Sequence, residues 1–179
     1  MIRLFVAIPL PEQIRTQLTM MQSGLQGARW LKPENIHLTL RFIGEARNDL
    51  ASDIDSALSE ITAPAFTLEL EDIGSFARGK RPHALWAGIA KSEPLSHLQA
   101  KIESTLVRAG LAAEERKFSP HITIARLKEM SSNRVEAWVA DYAGFRSPPF
   151  KVDRFALFSS FLKPEGALYI EETSYPLEG

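Results

Sequence analysis

The sequence predicts an α+β fold: a duplicated, bilobal arrangement of two antiparallel sheets lining a central groove, with helices on the outer faces. Three observations lead there. A four-residue pattern occurs twice, as His37-Leu38-Thr39-Leu40 and as His121-Ile122-Thr123-Ile124. Its surroundings recur in frame, because Phe66 follows His37 by 29 residues and Phe150 follows His121 by 29. Those phenylalanines open similar runs, Pro64-Ala65-Phe66-Thr67-Leu68 and Pro148-Pro149-Phe150-Lys151-Val152. Upstream, Phe5-Val6-Ala7-Ile8 precedes His37 by 32 residues and Trp86-Ala87-Gly88-Ile89 precedes His121 by 35. Finally, the apolar spacing switches between the periods of strand and helix, so each half reads strand, helix, tetrad strand, helix, Phe-led strand. Residues 1–179 are therefore expected to form a single domain of two pseudo-symmetric lobes, with one His on each side of a shared groove.

Residues 3–8 are a short apolar strand ended by Pro9 and Pro11, and Pro11 suits the first turn of a helix carrying Ile14, Leu18 and Met21 on one face. Residues 30–35 form a turn into a strand over 36–43, which Gly44 is expected to terminate. Leu50, Ile54, Leu58 and Ile61 have helical spacing. Residues 66–73 alternate as a strand, 74–82 read as a loop, and a strand over 84–90 leads through Pro94 into a helix with Leu95, Leu98, Ile102 and Leu106, which Gly110 can cap. Pro120 suits the first position of the second tetrad strand. Val135, Trp138 and Val139 mark a short helix, 150–159 a strand, and 166–172 the last strand, whose Ala167-Leu168-Tyr169 resembles Ala84-Leu85-Trp86.

Composition narrows the function. With 179 residues, 45% of them hydrophobic and 24% charged, the chain is ordinary globular material. A net charge of −1 argues against sequence-blind coating of nucleic acid, which draws on many phosphate contacts, so any such contact is local. There is no cysteine, hence no disulfide, thiolate metal site or Cys nucleophile. The first residues lack the long apolar core of a leader and nothing approaches a membrane span, so the expected location is cytoplasmic, with no membrane and no obligate protein partner.

Strand side chains alternate faces, so within each tetrad His and Thr share one face while Leu38 and Leu40, or Ile122 and Ile124, pack behind. Breaking a phosphodiester without a metal needs one group to accept a proton, one to donate a proton, and fixed donors for the phosphoryl oxygens. Two His and two Thr supply that set. Imidazole titrates near pH 6.5, so one ring can be neutral while the other is charged. Neither tetrad carries the clustered carboxylate or second His of a motif such as HExxH, and no metal or other cofactor is expected.

These residues resemble the 2H phosphoesterases, named for two HxTx motifs, and most of all the RNA 2′,3′-cyclic phosphodiesterases, also called 2′-5′ RNA ligases. The likeness runs through Leu4-Phe5-Val6-Ala7-Ile8, His37-Leu38-Thr39-Leu40-Arg41-Phe42-Ile43-Gly44-Glu45, Ala84-Leu85-Trp86, Pro120-His121-Ile122-Thr123-Ile124-Ala125-Arg126 and Gly166-Ala167-Leu168-Tyr169. It implies metal-independent hydrolysis of a terminal 2′,3′-cyclic phosphate on RNA to a 2′-phosphate, with His37 as proton donor and His121 as acceptor. Small cyclic nucleotides are alternative substrates. It also implies that Arg126 contacts the phosphate. Strand parity disagrees, since it places Ala125 beside His121 and Thr123 and places Arg41 beside His37 and Thr39; a twist or bulge at the strand end would re-aim Arg126, and Arg41 stands as a second candidate. Phe118, in the approach to the second tetrad, is a candidate for stacking on a base. Parity assigns Phe42 to the core. His83 and His97 are expected on the surface, and Arg78-Gly79-Lys80-Arg81 reads as a solvated loop able to meet an RNA backbone. Two other functions fit the same residues: 2′-5′ ligation, with a ribose hydroxyl replacing water, and a non-catalytic RNA- or nucleotide-binding module.

Overall fold

A computed structural model describes residues 1–179. The strands are β1 (Ile2–Pro9), β2 (Arg29–Trp30), β3 (His37–Ala46), β4 (Phe66–Leu68), β5 (Leu70–Arg78), β6 (Arg81–Ile89), β7 (His121–Arg126), β8 (Phe150–Val152), β9 (Arg154–Lys163) and β10 (Gly166–Pro176). The helices are α1 (Glu12–Thr19), α2 (Asn48–Ser59), α3 (Glu93–Arg108) and α4 (Ser132–Ala140). One sheet has the order β10-β9-β1-β3 and the other β2-β7-β6-β5, all antiparallel, while β4 and β8 pair with each other.

The duplication is realised by exchange. The first half supplies β1 and β3 to one sheet but sends β5 to the other; the second half supplies β6 and β7 but sends β9 back beside β1. Between them, β4 and β8 pair in a register symmetric about Thr67 and Lys151, with Phe66 opposite Val152 and Leu68 opposite Phe150. This corrects the expectation of unbroken strands over 66–73 and 150–159. Each run breaks after three residues, at Glu69 and at Asp153, because it must leave the short central ladder and join a long sheet. The two breaks are held alike: Ala90 donates its N–H to the Glu69 carbonyl at 2.9 Å and Leu177 to that of Asp153 at 2.8 Å.

Other boundaries shift for local reasons. Residues 74–82 are not a loop but the tip of the β5–β6 hairpin, with Arg78 opposite Arg81 and only Gly79-Lys80 turning. Gly74 is required there by packing rather than by a turn, since a Cβ on it would lie 2.3 Å from the Trp86 ring. Pro82 stands second in β6, near the strand end where its missing donor is tolerated. Gly44 does not end β3; at φ +87° it turns a bulge that leaves Ile43 unpaired, and the strand runs on to Ala46 opposite Ile2. The last strand extends past residue 172 to Pro176 through another bulge near Glu172.

A core of 37 buried residues takes Leu4, Val6 and Ile8 from β1 together with the apolar faces of all four helices. Ser92 caps α3 by accepting from the Leu95 N–H at 3.2 Å, and Ile102 and Leu106 then sink completely. The opposite face of β1 carries Phe5 and Ala7 into a small second cluster with Ala156 and Phe158, against which Tyr169 packs. Through Phe5 and Tyr169 that cluster reaches the cavity shared by the two tetrads.

Candidate active site

Both tetrads begin their strands, His37 opening β3 and His121 opening β7. Within each, His and Thr are partly exposed while the intervening aliphatics are buried. A single cavity of about 460 Å³ is lined by His37, Thr39, His121 and Thr123 together, with Arg126, Phe118 and Lys117 on its wall.

Aromatic rings from other strands of the same sheet hold each imidazole. The His37 ring lies 4.4 Å from Phe158 of β9 and 6.2 Å from Phe5 of β1. The His121 ring stands perpendicular to Phe76 of β5 at 4.8 Å, and Phe76 in turn lies 5.7 Å from Trp86 of β6. The polar surroundings differ. His121 Nδ1 lies 2.8 Å from the Ser119 carbonyl; a carbonyl only accepts, so Nδ1 carries a proton, and in the neutral form of the ring the lone pair is on Nε2. His37 Nδ1 is buried without a partner in hydrogen-bonding geometry. Burial pushes this ring down to about 4 from the usual 6.5, and the Arg15 charge adds to the shift, while the neighbouring Asn35 carbonyl and Glu171 oppose it. In the unliganded protein at neutral pH, His37 is therefore uncharged.

Both tetrads end in the same irregularity. On β3, Ala7 pairs with Thr39 but Val6 with Arg41, leaving Leu40 as an extra residue; on β7, Trp86 pairs with Thr123 but Leu85 with Ala125, leaving Ile124 extra. Each bulge inverts the parity of the residues beyond it. Arg126 thereby turns to the cavity, exposed and with no carboxylate partner among the ion pairs. By the same inversion Arg41 turns away from the face of His37 and Thr39. It is 8% exposed, and its guanidinium is spent on Glu103 at 2.8 Å and on the Phe42 and Ala112 carbonyls at 2.6 Å each. Arg41 borders the cavity as a structural ion pair, with its Nε and one N–H of each terminal nitrogen engaged by protein acceptors. Phe42, expected in the core, is 58% exposed and lines the cavity.

His83 is half-exposed and lines the cavity beside Phe76; His97 is exposed on α3. The Arg78–Arg81 tip is exposed and projects beyond the stretch of hairpin that bears Phe76 and His83. Sequence reasoning missed Gln99, which reaches the cavity from α3 and donates to the Leu40 carbonyl at 3.2 Å, and Tyr169, whose ring lies 5.9 Å from His37. Tyr169 was legible in part through the likeness of Ala167-Leu168-Tyr169 to Ala84-Leu85-Trp86; nothing in the sequence marked Gln99. No group of three or more His, Cys, Asp or Glu comes together as a metal site would require, and no helix is long and apolar enough to cross a membrane.

An α+β fold with exchanged strands and a His-x-Thr pair at each side of one cavity is that of a two-histidine phosphoesterase. The chain belongs to the LigT-like phosphoesterase family, whose sequence model matches residues 8–86 and again 88–169, one match to each half. A relative from Thermotoga maritima named RNA 2′,3′-cyclic phosphodiesterase is 34% identical over 176 residues, covering 93% of this chain and 91% of its own. Among solved structures, E. coli LigT in apo form superposes with a TM-score of 0.82 at 26% identity, covering 99% of this chain and 98% of that one. E. coli LigT complexed with 3′-AMP gives 0.80 at 25% identity, covering 99% of both.

Proposed function

We propose that this protein hydrolyses terminal 2′,3′-cyclic phosphates of RNA to 2′-phosphomonoesters, without a metal, by a two-histidine acid–base mechanism. The observation that carries the reading is the convergence of His37, Thr39, His121 and Thr123 on one cavity. The names of the relatives supply the substrate class, and the 3′-AMP complex of E. coli LigT agrees with a nucleotide-sized ligand.

In this scheme water attacks phosphorus while His121 Nε2 takes its proton; the Ser119 carbonyl, holding Nδ1–H, keeps the accepting lone pair on Nε2. The bond from phosphorus to the ribose 3′ oxygen breaks, and that oxygen takes a proton from His37. Thr39, Thr123 and Arg126 donate to the non-bridging oxygens, where charge must be held during the displacement. A buried His37 is a poor acid store on its own, because it is deprotonated well above pH 4. The anionic phosphodiester itself corrects this by stabilising the imidazolium when it docks. Once protonated, a ring so disposed to lose its proton is a strong donor to a leaving alkoxide. After each turnover His121 carries the proton that His37 has lost, and solvent exchange resets both.

The test is to incubate EDTA-treated protein with an RNA ending in a 2′,3′-cyclic phosphate and to identify the product. A 2′-phosphate formed at an undiminished rate is expected. Loss of turnover in EDTA with recovery on adding a divalent ion, checked on a small cyclic nucleotide to remove effects on RNA folding, refutes the two-histidine scheme.

A further inference from the structure

We infer that His83 and the cationic tip of the β5–β6 hairpin, Arg78, Lys80 and Arg81, form a track for the phosphodiester backbone of the RNA chain that leads to the cyclic end. The protein then acts on the ends of oligonucleotides in preference to free cyclic mononucleotides. The inference rests on the reading of the cavity as a phosphodiesterase site, and it adds where the rest of the substrate lies.

A third bulge builds the track. On the hairpin Phe76 pairs with Ala84, but the next residue, Ala77, pairs with Pro82, which leaves His83 as an extra residue. Unbroken alternation would set His83 and Arg81 on the face of Leu85, which is fully buried in the core. The bulge turns both to the opposite face. His83 accordingly lines the cavity together with Ala84. Arg81 stands opposite Arg78, and Arg78 is two residues beyond Phe76, so both arginines share the face of Phe76. The Phe76 ring lies 4.8 Å from that of His121 and 6.2 Å from that of His83. One row thus climbs the hairpin away from the second tetrad: His121, Phe76, His83, then the two arginines. Leu127 donates its N–H to the His83 carbonyl at 2.9 Å, which ties the bulge to the end of β7 beside Arg126.

The tip is built against its own stability. Arg78 and Arg81 are directly opposite each other, and like charges so placed repel; Lys80 adds a third charge in the turn. None of the three has a carboxylate partner, although the chain holds 22 acidic residues against 21 Lys and Arg. An anion laid across the pair removes the repulsion. The β9–β10 hairpin, which reaches the cavity through Tyr169, differs in kind: on the Tyr169 face it carries Leu162 opposite Ala167. A polyanion is therefore drawn out of the cavity over the β5–β6 lip.

The donors suit a phosphodiester. A guanidinium offers paired N–H groups to two phosphate oxygens, and an imidazole offers an N–H in either charge state. Contacts of this kind hold the backbone and read no base. They also fit a chain of net charge −1, in which attraction for nucleic acid has to be local.

The experiment compares hydrolysis of a pentaadenylate ending in a 2′,3′-cyclic phosphate with that of adenosine 2′,3′-cyclic phosphate. The proteins are the wild type, His83→Ala, a tip variant combining Arg78→Gln, Lys80→Gln and Arg81→Gln, and a charge-keeping variant combining Arg78→Lys and Arg81→Lys. Losing one hydrogen bond to a charged group costs about tenfold. His83→Ala and the tip variant should each lower the ratio of kcat/KM for the pentanucleotide over the mononucleotide by that factor, mostly through KM. The mononucleotide rate should hold, and the lysine variant should keep the ratio. In the wild type the ratio should fall as salt rises, with a logarithmic slope of about −0.7 for each phosphate held, and the slope should flatten in the tip variant. An unchanged ratio in either His83→Ala or the tip variant overturns the inference, as does an equal loss on both substrates or a wild-type ratio indifferent to salt. If the wild type hydrolyses neither compound, the phosphodiesterase reading is what fails. Affinities of the same proteins for pentaadenylate bearing a terminal 2′-phosphate and for adenosine 2′-monophosphate then decide the track, selective weakening of the pentanucleotide by the tip variant supporting it and parallel changes refuting it.

Discussion

His37 is the residue whose surroundings most constrain the chemistry. Its ring titrates near 4 when folded and near 6.5 in an unfolded chain, so between those values the unfolded state binds more protons. Stability from this source is complete above about pH 6.5 and is lost as the pH falls through 4. Calorimetric melting across that range should show the decline, up to about 3 kcal/mol, and His37→Leu should flatten it. A docked phosphate must act in the opposite sense, so adding adenosine 2′-monophosphate should raise the His37 midpoint in an NMR titration; an unmoved midpoint would place the anion elsewhere. In turnover, His37→Ala and His121→Ala should each cost about two to four orders of magnitude. The roles separate by leaving group. A nitrophenyl ester needs no protonation, so it should spare His37→Ala and not His121→Ala; the reverse pattern exchanges the acid and the base.

At the scale of elements, the two bulges decide which arginine is left unpaired at the cavity, and a paired mutation tests whether it serves the site. Arg126→Ala removes an exposed, unpaired charge, so the melting temperature should hold while kcat/KM falls about 10- to 100-fold, the worth of one charged hydrogen bond. Arg41→Ala should do the converse. It orphans Glu103, whose other oxygen holds the Glu114 N–H at 3.0 Å, and it frees the Ala112 carbonyl; breaking a buried pair costs about 3–5 kcal/mol. The sequence showed the tetrads, the repeat and the element order because apolar periodicity and an identical spacing are local, additive signals. It hid the bulges because an extra residue in a ladder is defined only by its partner strand. Even so, the repeat held a usable hint. Positions 42 and 126 fall in the same frame, so a bulge admitted for Arg126 required Phe42 to face the groove as well. The strand breaks at Glu69 and Asp153 were invisible for a different reason: they depend on the exchange between sheets, and the local pattern 66–73 alternates without interruption.

For the whole molecule, strand exchange predicts that the two lobes behave as one cooperative object. Without β9 and β10, the sheet of β1 and β3 loses half its strands, and Phe5 loses its stack on Phe158 under His37. Without β5, His121 loses Phe76. Each imidazole is thus buttressed partly by the half of the chain that does not carry it, and neither lobe can present its tetrad alone. The double variant of His37 and His121 should accordingly lose far less than the product of the single losses, because the pair acts as a unit. Unfolding should be two-state as well. Trp30 and Trp86 lie on the β2-β7-β6-β5 sheet and Trp138 packs 5.6 Å from Trp30, so tryptophan fluorescence reports that sheet while far-UV circular dichroism reports the whole chain. In urea the two curves should share one midpoint and one slope, and a fragment of residues 1–90, whose β1 would be left as a bare apolar edge and whose β5–β6 hairpin would lack β7, should remain unfolded. Separate midpoints, or a folded fragment, would mean that the halves are independent lobes merely in contact, and the shared support of the two histidines would then have to be abandoned.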